Sequence, residues 1–289
     1  MTNVLGNVLI TGPARGIGEA LARLLAARGA RLALVGMEPE RLAALAKELG
    51  PQHFWTECDV TSQAALQRAV ELTVIALGGI DVVVANAGIA SNGTVAVTPV
   101  EALARVVDVN LTGVIRTVHA TLPHVVARRG YFLLISSAAA IVAAPGLATY
   151  CATKAGVEQF GNALRLEVKH KGVRVGVAHP SWIDTDLVRD TQRDLASFNK
   201  ALRKFPGPLG TITTVEKCAT ALADAIDRRE RKVYIPKSLG YFAAIRHFFM
   251  SRTAEDHIAK HADIEAREAE VLKLGRPFGE NSVEAKRTK

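Results

Sequence analysis

The chain has 289 residues, 49% of them hydrophobic and 22% charged, with a net charge of +8. This composition is typical of a globular protein long enough for one large domain or two small ones, and it excludes wholesale disorder and fibrous repeats. From residue 228 onward fourteen Lys or Arg face nine Asp or Glu, so the basic excess lies mainly in the tail and we expect no nucleic-acid partner.

Strand and helix patterns alternate through the first 180 residues. Short apolar runs predict strands at residues 7–11, 31–36, 53–57, 80–85, 131–136 and 173–178. Helical periodicity and caps predict helices at residues 17–28, 39–49, 62–77, 99–128 and 149–170. This alternation implies right-handed crossovers, so we predict an α/β, doubly wound, Rossmann-like fold of about seven parallel strands with helices on both faces.

After His179 the pattern loosens into a helix at 185–202, a Pro/Gly loop, a helix at 215–226 and a short strand at 233–235. Ligands bind beyond the carboxyl ends of the strands in such sheets, so we expect residues 181–212 to cover the site as a lid. We predict one nucleotide-binding domain over residues 1–250. A charged helical extension follows at 251–289, and its last fifteen residues are predicted to be a disordered basic tail.

Residues 239–250 are rich in aromatic side chains. Leu239, Phe242, Ile245 and Phe249 recur at helical spacing, and Arg246 interrupts the apolar surface. Twelve residues are too few to span a bilayer. Three interpretations stay open: packing on the domain's own core or lid, contact with another subunit, and peripheral contact with an anionic membrane.

A glycine-rich turn leads from the first strand into the first helix. Gly12, Gly16 and Gly18 permit a tight turn and the close approach of a pyrophosphate to the positive end of the helix dipole. Many strand-to-helix turns use glycine for geometry alone, so the turn by itself is weak evidence. Its place in the first βα unit, at the topological switch point, favours a dinucleotide site.

Tyr150 and Lys154 lie one helical turn apart and share a helix face. An ammonium beside a phenol favours the phenolate, so we expect a lowered tyrosine pKa and a Tyr150 that can act as acid or base. Ser137, after the fifth strand, is placed to hydrogen-bond a substrate oxygen, and Lys154 to contact ribose hydroxyls. An isolated Tyr–Lys pair is more often a surface pair, so the assignment depends on the surrounding motifs.

The glycine spacing G-x-x-x-G-x-G resembles that of the short-chain dehydrogenase/reductase family. Further motifs follow in the family's order: Asp59 with Val60, Asn86-Ala87-Gly88, Asn110, Ser137, and the Y-x-x-x-K of Tyr150 and Lys154. The resemblance covers about residues 7–190. It departs after the sixth strand, where this chain has His179, Pro180, Ser181 and Trp182 in place of the usual P-G. His179 is interpreted either as a contact of the nicotinamide or as a packing residue.

This resemblance implies a compact enzyme that passes a hydride between a nicotinamide cofactor and a carbonyl or secondary alcohol. It implies catalytic roles for Tyr150, Lys154, Ser137 and Asn110, with Asn110 kinking its helix and holding a water linked to Lys154. The implied cofactor contacts are Gly12, Arg15, Gly16, Ile17, Gly18, Gly36, Asp59, Val60, Asn86, Ala87, Gly88, Tyr150, Lys154, Pro180 and Ile183.

Cofactor choice depends on the end of the second strand, where an acidic residue would bind the ribose hydroxyls and repel a 2′-phosphate. Gly36 and Met37 occupy that place, and Arg15 resembles the basic residue of NADP-using relatives. Glu38 is near enough to favour NAD. We predict NADP, with NAD as the alternative.

The expected substrate contacts are mainly apolar: Ser137, Ile141, Leu147, Trp182 and Leu187. They favour a small hydrophobic carbonyl or alcohol substrate. A catalytically silent nucleotide-binding or scaffolding protein is the alternative function, because a fold alone does not establish activity. A sugar epimerase or dehydratase is disfavoured by the glycine spacing and the short region after the sixth strand.

Location and assembly are predicted from composition. Cys58, Cys151 and Cys218 are well separated without a C-x-x-C pair, so we expect no disulfide scaffold and no metal site. Residues 1–7 do not resemble a secretory signal, and we predict a cytoplasmic protein. The helices at 99–128 and 149–170 carry more Ala, Val and Leu than one core-facing stripe requires, which predicts a homodimer or homotetramer.

Overall fold

The computed structural model describes residues 5–205, 207–282 and 284, and a parallel sheet lies at its centre. Its strands are β1 (Asn7–Thr11), β2 (Arg31–Gly36), β3 (Phe54–Glu57), β4 (Val82–Ala85), β5 (Tyr131–Ile135), β6 (Arg174–Pro180) and β9 (Lys232–Ile235). They are ordered β3-β2-β1-β4-β5-β6-β9, and a separate pair joins β7 (Trp182–Ile183) to β8 (Ile212–Thr213). The predicted doubly wound α/β fold is confirmed, with the switch point between β1 and β4.

Helices cover both faces of the sheet. In chain order they are α1 (Gly16–Ala27), α2 (Pro39–Leu49), α3 (Gln63–Leu77), α4 (Val100–Val107), α5 (Gly113–Ala127), α6 (Ala148–Val168), α7 (Asp186–Asp194), α8 (Ala196–Leu202), α9 (Val215–Arg228), α10 (Leu239–Ala244), α11 (Arg246–Phe249), α12 (Arg252–Ala262) and α13 (Ile264–Leu274). Successive strand residues point to opposite faces, so Val8 and Ile10 pack with α1, α2 and α9, while Leu9 packs with α3, α5 and α6.

Two helices predicted as continuous are interrupted. The helix at 99–128 divides into α4 and α5 around a π-helical turn at Asp108–Thr112. The helix at 185–202 ends at Leu195, whose backbone is extended and whose side chain is fully buried beside Phe198. In both places tertiary contacts override the helical periodicity of the sequence.

The prediction of a disordered tail from residue 275 is wrong for residues 276–282. Phe278 is 4% exposed, packs on Ala102 and Val106, and forms an antiparallel bridge with Ser91. The Asn281 side-chain amide donates a hydrogen bond to Asp190 at 2.7 Å. These contacts explain the order, because a buried aromatic anchors an otherwise charged stretch. Residues 283 and 285–289 of the predicted tail lie outside the described residues.

Residues 239–250 pack on their own domain. Leu239 is fully buried, and Phe242 and Phe249 are partly buried in the cluster that it shares with Ile141 and Leu209. Arg246 donates two hydrogen bonds, of 2.9 and 3.0 Å, to the buried carboxylate of Glu158 on α6. The large hydrophobic side chains that remain exposed in this segment are Tyr241, Ile245, Phe248 and Met250.

Contact of this exposed face with a membrane or with another subunit stays a prediction. Among the described residues, none of the helices combines the length and the apolar character needed to cross a bilayer.

Candidate active site

The turn between β1 and α1 requires glycine. Gly12 and Gly16 have left-handed backbones, with φ of +67° and +57°. A β-carbon on Gly18 would collide with the carbonyl oxygen of Gly12 and would lie 2.6 Å from Nδ2 of Asn86. The side chain of the N-cap residue Arg15 makes no capping hydrogen bond to the first turn of α1. Its backbone N–H groups therefore remain available to an anion such as a pyrophosphate.

Hydrogen bonds fix the end of β4 against this turn. Nδ2 of Asn86 donates to the carbonyl oxygens of Thr11 and Gly12, both at 3.0 Å. The Thr11 hydroxyl accepts from the backbone N–H groups of Asn86 and Ala87 at 3.0 and 3.2 Å. These bonds hold the two predicted cofactor-binding motifs in one rigid edge of the sheet.

Asn110 lies in the middle of the π-helical turn and is fully buried. Its Oδ1 accepts from the Ile89 N–H and its Nδ2 donates to the Ile89 carbonyl oxygen, both at 2.8 Å. The predicted distortion of the helix at Asn110 is confirmed, since the extra residue of a π turn directs this side chain at the loop after β4. Its role in holding a water stays a prediction.

Ser137, Tyr150 and Lys154 converge at the end of β5. The Ser137 hydroxyl faces the Tyr150 phenol closely enough to favour its ionised form. Nζ of Lys154 donates to the Ile135 carbonyl oxygen at 3.0 Å and lies 5.5 Å from the centre of the Tyr150 ring. The three side chains are therefore placed to act on one oxygen atom together.

The expected lowering of the Tyr150 pKa is wrong for this structure. Burial raises the pKa of Tyr150 to about 12, although the neighbouring Ser137 hydroxyl opposes the shift. Lys154 lies over the ring rather than at the phenolic oxygen, and its ammonium is itself buried. Burial lowers the pKa of Lys154 to about 8.

A cleft of about 340 Å³ at the carboxyl ends of the strands collects most of the predicted site residues, and its volume is typical of small-molecule sites. From the cofactor set it is lined by Gly12, Arg15, Gly16, Ile17, Gly18, Gly36, Asp59, Val60, Asn86, Ala87, Gly88, Pro180 and Ile183. From the catalytic and substrate sets it is lined by Ser137, Leu147, Tyr150, Lys154, Trp182 and Leu187.

Two predicted site residues do not line this cleft. Asn110 lies behind the loop after β4, bonded to Ile89 as described. Ile141 was predicted as a substrate contact, but it packs with Leu209 and Leu239, and the next residue, Val142, borders the cleft instead. The short helical turn at Ala138–Ala140 decides which of these two side chains points to the cleft. The sequence spacing alone did not indicate this.

The sequence interpretation missed the contribution of the C-terminal extension. The cleft is also lined by Arg267, Gly279, Asn281, Ser282 and Glu284. The one signal for this in the sequence is Phe278, an aromatic residue between Pro277 and Gly279 in a charged stretch.

Arg15, the predicted phosphate ligand, is paired within the protein. Its Nε donates to Glu38 at 3.0 Å, its Nη2 also contacts the Glu38 carboxylate, and Asp186 lies 3.6 Å away. Gly36 has space beside it, because a β-carbon there would first meet Pro13 at 3.6 Å. The two residues that bear on cofactor choice therefore lie at one edge of the cleft.

Asp59 is held as a carboxylate. Burial alone would raise the pKa of Asp59. Hydrogen bonds from the backbone and hydroxyl of Thr61 and from Arg105 outweigh this effect and hold the pKa at about 2. Nη2 of Arg105 lies 3.1 Å from Asp59 and 2.9 Å from Glu284. The extension is thus tied to Asp59, one of the predicted cofactor contacts.

His179 is a packing residue in this structure. It is fully buried, stacks on Tyr234 with 5.1 Å between ring centres, and lies 3.7 Å from the Glu158 carboxylate. Burial raises the pKa of the Cys151 thiol, which disfavours a nucleophile there. Over residues 5–205, 207–282 and 284, we found no group of three or more His, Cys, Asp or Glu able to hold a metal ion.

This chain is similar in sequence and in structure to known proteins. The family model described as short chain dehydrogenase matches residues 6–196. A 3-oxoacyl-[acyl-carrier-protein] reductase from Bos taurus is 34% identical over 197 residues, covering 68% of this chain and 83% of the relative.

Two solved structures resemble the chain at 25–26% identity. An alcohol dehydrogenase from Thermococcus sibiricus, complexed with 5-hydroxy-NADP, superposes with a TM-score of 0.66 at 26% identity and covers 79% of this chain and 94% of its own. A 3-ketoacyl-(acyl-carrier-protein) reductase from Brucella melitensis, complexed with NADH, gives a TM-score of 0.71 at 25% identity, covering 80% and 96%.

Proposed function

The chain belongs to the short-chain dehydrogenase/reductase family and is an NAD(P)-dependent oxidoreductase, and from this premise we propose the reaction that it catalyses. It transfers a hydride between NADP(H) and a hydrophobic carbonyl compound or secondary alcohol, with Tyr150 as general acid/base. The observation that carries this proposal is the convergence of Ser137, Tyr150 and Lys154 at the end of β5, inside the cleft that the glycine turn also lines.

The residues present fit a dinucleotide. The glycine turn and the uncapped start of α1 suit its pyrophosphate, and Asp59 and Val60 border the region for its adenine. Lys154 is the candidate ligand of the ribose hydroxyls beside the nicotinamide. When bound, the nicotinamide supplies or accepts the hydride.

In reduction, the phenol of Tyr150 delivers the proton that the substrate oxygen acquires. A raised pKa keeps this phenol protonated at neutral pH, so it is ready as an acid. Ser137 donates a hydrogen bond to the same oxygen and orients it. In oxidation Tyr150 must first lose its proton, and the positive charge of Lys154 favours that loss.

An apolar substrate is supported by the lining of the cleft beyond Ser137. The side chains there are Val142, Leu147, Trp182, Leu187, Phe198, Phe205 and Leu209. They offer little hydrogen bonding to a sugar. A relative named as an acyl reductase agrees with a substrate that carries a hydrocarbon chain.

A panel of aldehydes, ketones and secondary alcohols, followed by nicotinamide absorbance with NADPH, NADH and their oxidised forms, tests the proposal. We expect turnover of apolar members and a preference for the phosphorylated cofactor. Tight cofactor binding without turnover of any member would instead favour the silent nucleotide-binding alternative.

Replacement of Lys154 by methionine is expected to stabilise the cofactor-free protein while lowering turnover. A folded-state pKa of about 8, below the ordinary 10.5, means that the buried ammonium destabilises the fold. This penalty is full below pH 8 and disappears as pH rises towards 10.5. We expect the substitution to raise the free energy of unfolding by roughly 2 kcal/mol at neutral pH, once the contribution of the lost hydrogen bond to Ile135 is subtracted.

Thermal unfolding of the Lys154→Met variant at pH 7 and pH 10 measures this effect, with the exposed Lys169→Met as the matched control. The difference in stability between the variant and the wild type should be smaller at pH 10 than at pH 7. A variant that is less stable than the wild type at pH 7 would show that Lys154 supports the fold rather than the chemistry.

We also infer a homodimer or homotetramer. Val107, Ile115 and Leu166 are exposed on α4, α5 and α6, and Leu166 is 76% exposed. Light scattering at micromolar concentration should give two or four times the 30.8 kDa chain mass. Leu166→Asp should lower that mass, whereas Ile75→Asp, on α3, should not. A wild-type mass of one chain would contradict the inference.

A cytoplasmic location is retained as part of this proposal. Cys58 and Cys218 are buried free thiols and Cys151 is a partly buried one. Free thiols of this kind are typical of proteins in a reducing compartment.

A further inference from the structure

Arg267 is a buried cation at the edge of the substrate part of the cleft. It lies on α13, in the C-terminal extension, and is 6% exposed. Its side chain packs over Gly146, where a β-carbon would collide with the Nε and would lie 2.7 Å from the Cζ. Gly146 belongs to the same loop as Ser137 and Leu147, so the guanidinium borders the space that the substrate enters.

Two of the three guanidinium nitrogens of Arg267 lack an acceptor in the part of the chain that the structure describes. Its Nε and Nη2 are buried and make no hydrogen bond there. The other charged residues of α13 that face inward are engaged: Glu268 accepts from Thr94 at 2.6 Å, and Glu270 accepts from the Ser197 hydroxyl at 2.6 Å. Glu270 acts on Arg267 only through space.

The carboxylates that border the cleft are also paired with other groups. Glu38 and Asp186 pair with Arg15, Asp59 and Glu284 with Arg105, and Asp190 with Asn281 and Arg193. Arginine stays charged in proteins, and a buried charge without an acceptor is strongly unfavourable. Arg267 therefore has hydrogen-bonding capacity that the described residues do not satisfy.

We propose that Arg267 binds a carboxylate carried by the substrate itself. The substrate class is then a hydrophobic chain with a carbonyl or secondary alcohol at Tyr150 and a carboxylate at Arg267, that is, an oxo- or hydroxy-carboxylic acid. This inference rests on the proposed function for the position of the reacting oxygen. It adds the second anchoring point, which an apolar cleft alone does not supply.

The chemistry favours a carboxylate over a phosphate. One guanidinium neutralises one carboxylate, and a guanidinium can bind two carboxylate oxygens side by side through two of its N–H groups. A phosphate dianion in an apolar surrounding would need a second cation. Apart from Arg267, the described cations that line the cleft are Lys154, which bonds Ile135 beside Tyr150, and Arg15, which pairs with Glu38.

Binding of octanoate and of its neutral analogue methyl octanoate to the full-length protein loaded with NADP, measured by calorimetry, tests the site without requiring turnover. The wild type should bind octanoate about tenfold or more tightly than methyl octanoate. Arg267→Met should lose that preference while keeping its affinity for the ester. Arg267→Lys should retain part of it, and Arg252→Met, an exposed arginine of α12, should behave as the wild type.

Equal binding of the two compounds by the wild type, or a preference that persists in Arg267→Met, would overturn the proposal. If Arg267→Met does not fold, the wild-type comparison and Arg267→Lys still decide the question.

Turnover with NADPH of straight-chain oxo-acids and their methyl esters then separates this inference from the proposed function. Preference for the acids at one or more chain lengths, lost in Arg267→Met, supports both. Reduction of esters and acids at equal kcat/KM leaves the proposed function standing and removes the carboxylate site. Octanoate binding through Arg267 without reduction of any carbonyl compound leaves the site standing and removes the proposed reaction.

Discussion

Replacement of Tyr150 by phenylalanine is expected to lower turnover at least about hundredfold while NADPH binding stays close to that of the wild type. The substitution removes only the phenolic oxygen, the proposed proton donor and the partner of Ser137. The ring that packs beneath Lys154 remains. The loss should therefore appear in kcat, and the cofactor dissociation constant should change little.

Steady-state kinetics and NADPH fluorescence titration measure the two quantities on the same preparation. Tyr241→Phe removes a hydroxyl from an exposed ring away from the cleft and should leave both unchanged. Near-normal turnover in Tyr150→Phe would end the assignment of Tyr150 as acid/base. Loss of NADPH binding together with turnover would instead assign Tyr150 to the cofactor pocket.

The fold could be predicted from sequence because its central strands, such as β1, β4 and β5, are buried on both faces. Runs such as residues 131–135 are fully apolar and end at turn residues, and the amphipathic helices between them fix the parallel crossovers. The breaks at the π turn and at Leu195 could not be predicted from periodicity. They depend on contacts with residues that are distant in the sequence, such as the bonds between the Asn110 side chain and the backbone of Ile89.

The site was predictable where a motif follows a strand end. Gly12, Asn86 and Ser137 reach the same cleft because parallel strands end at one edge of the sheet. Burial was not predictable from spacing. Helical adjacency correctly placed Lys154 near Tyr150, but Nζ of Lys154 lies over the ring, and burial of the phenol raises the pKa of Tyr150.

The contribution of the extension was missed for a related reason. Arg267 and Glu284 lie in a charged stretch whose composition resembles a solvated tail. The helix that carries Arg267 packs through Val271 on Phe198, and the segment after it is held by Phe278, which bridges Ser91. Composition describes how a segment behaves alone, whereas a few buried apolar contacts decide where it lies in the fold.

Replacement of Gly36 by aspartate is expected to shift the preference from NADPH towards NADH by about tenfold or more in the ratio of kcat/KM values. A carboxylate at the end of β2 would repel a 2′-phosphate and accept hydrogen bonds from unmodified ribose hydroxyls. The substitution is sterically acceptable, because the nearest atoms to a new β-carbon lie at 3.6 Å and beyond and the backbone is not left-handed.

Gly36→Ala is the matched control, since it adds the β-carbon without the charge and should leave the ratio near that of the wild type. A new carboxylate at residue 36 would also compete with Glu38 for the guanidinium of Arg15. Measured with one substrate and both cofactors, a ratio that moves in Gly36→Asp but not in Gly36→Ala assigns the effect to charge. An unchanged ratio in both variants would show that the 2′-position of the adenosine ribose does not lie at the end of β2.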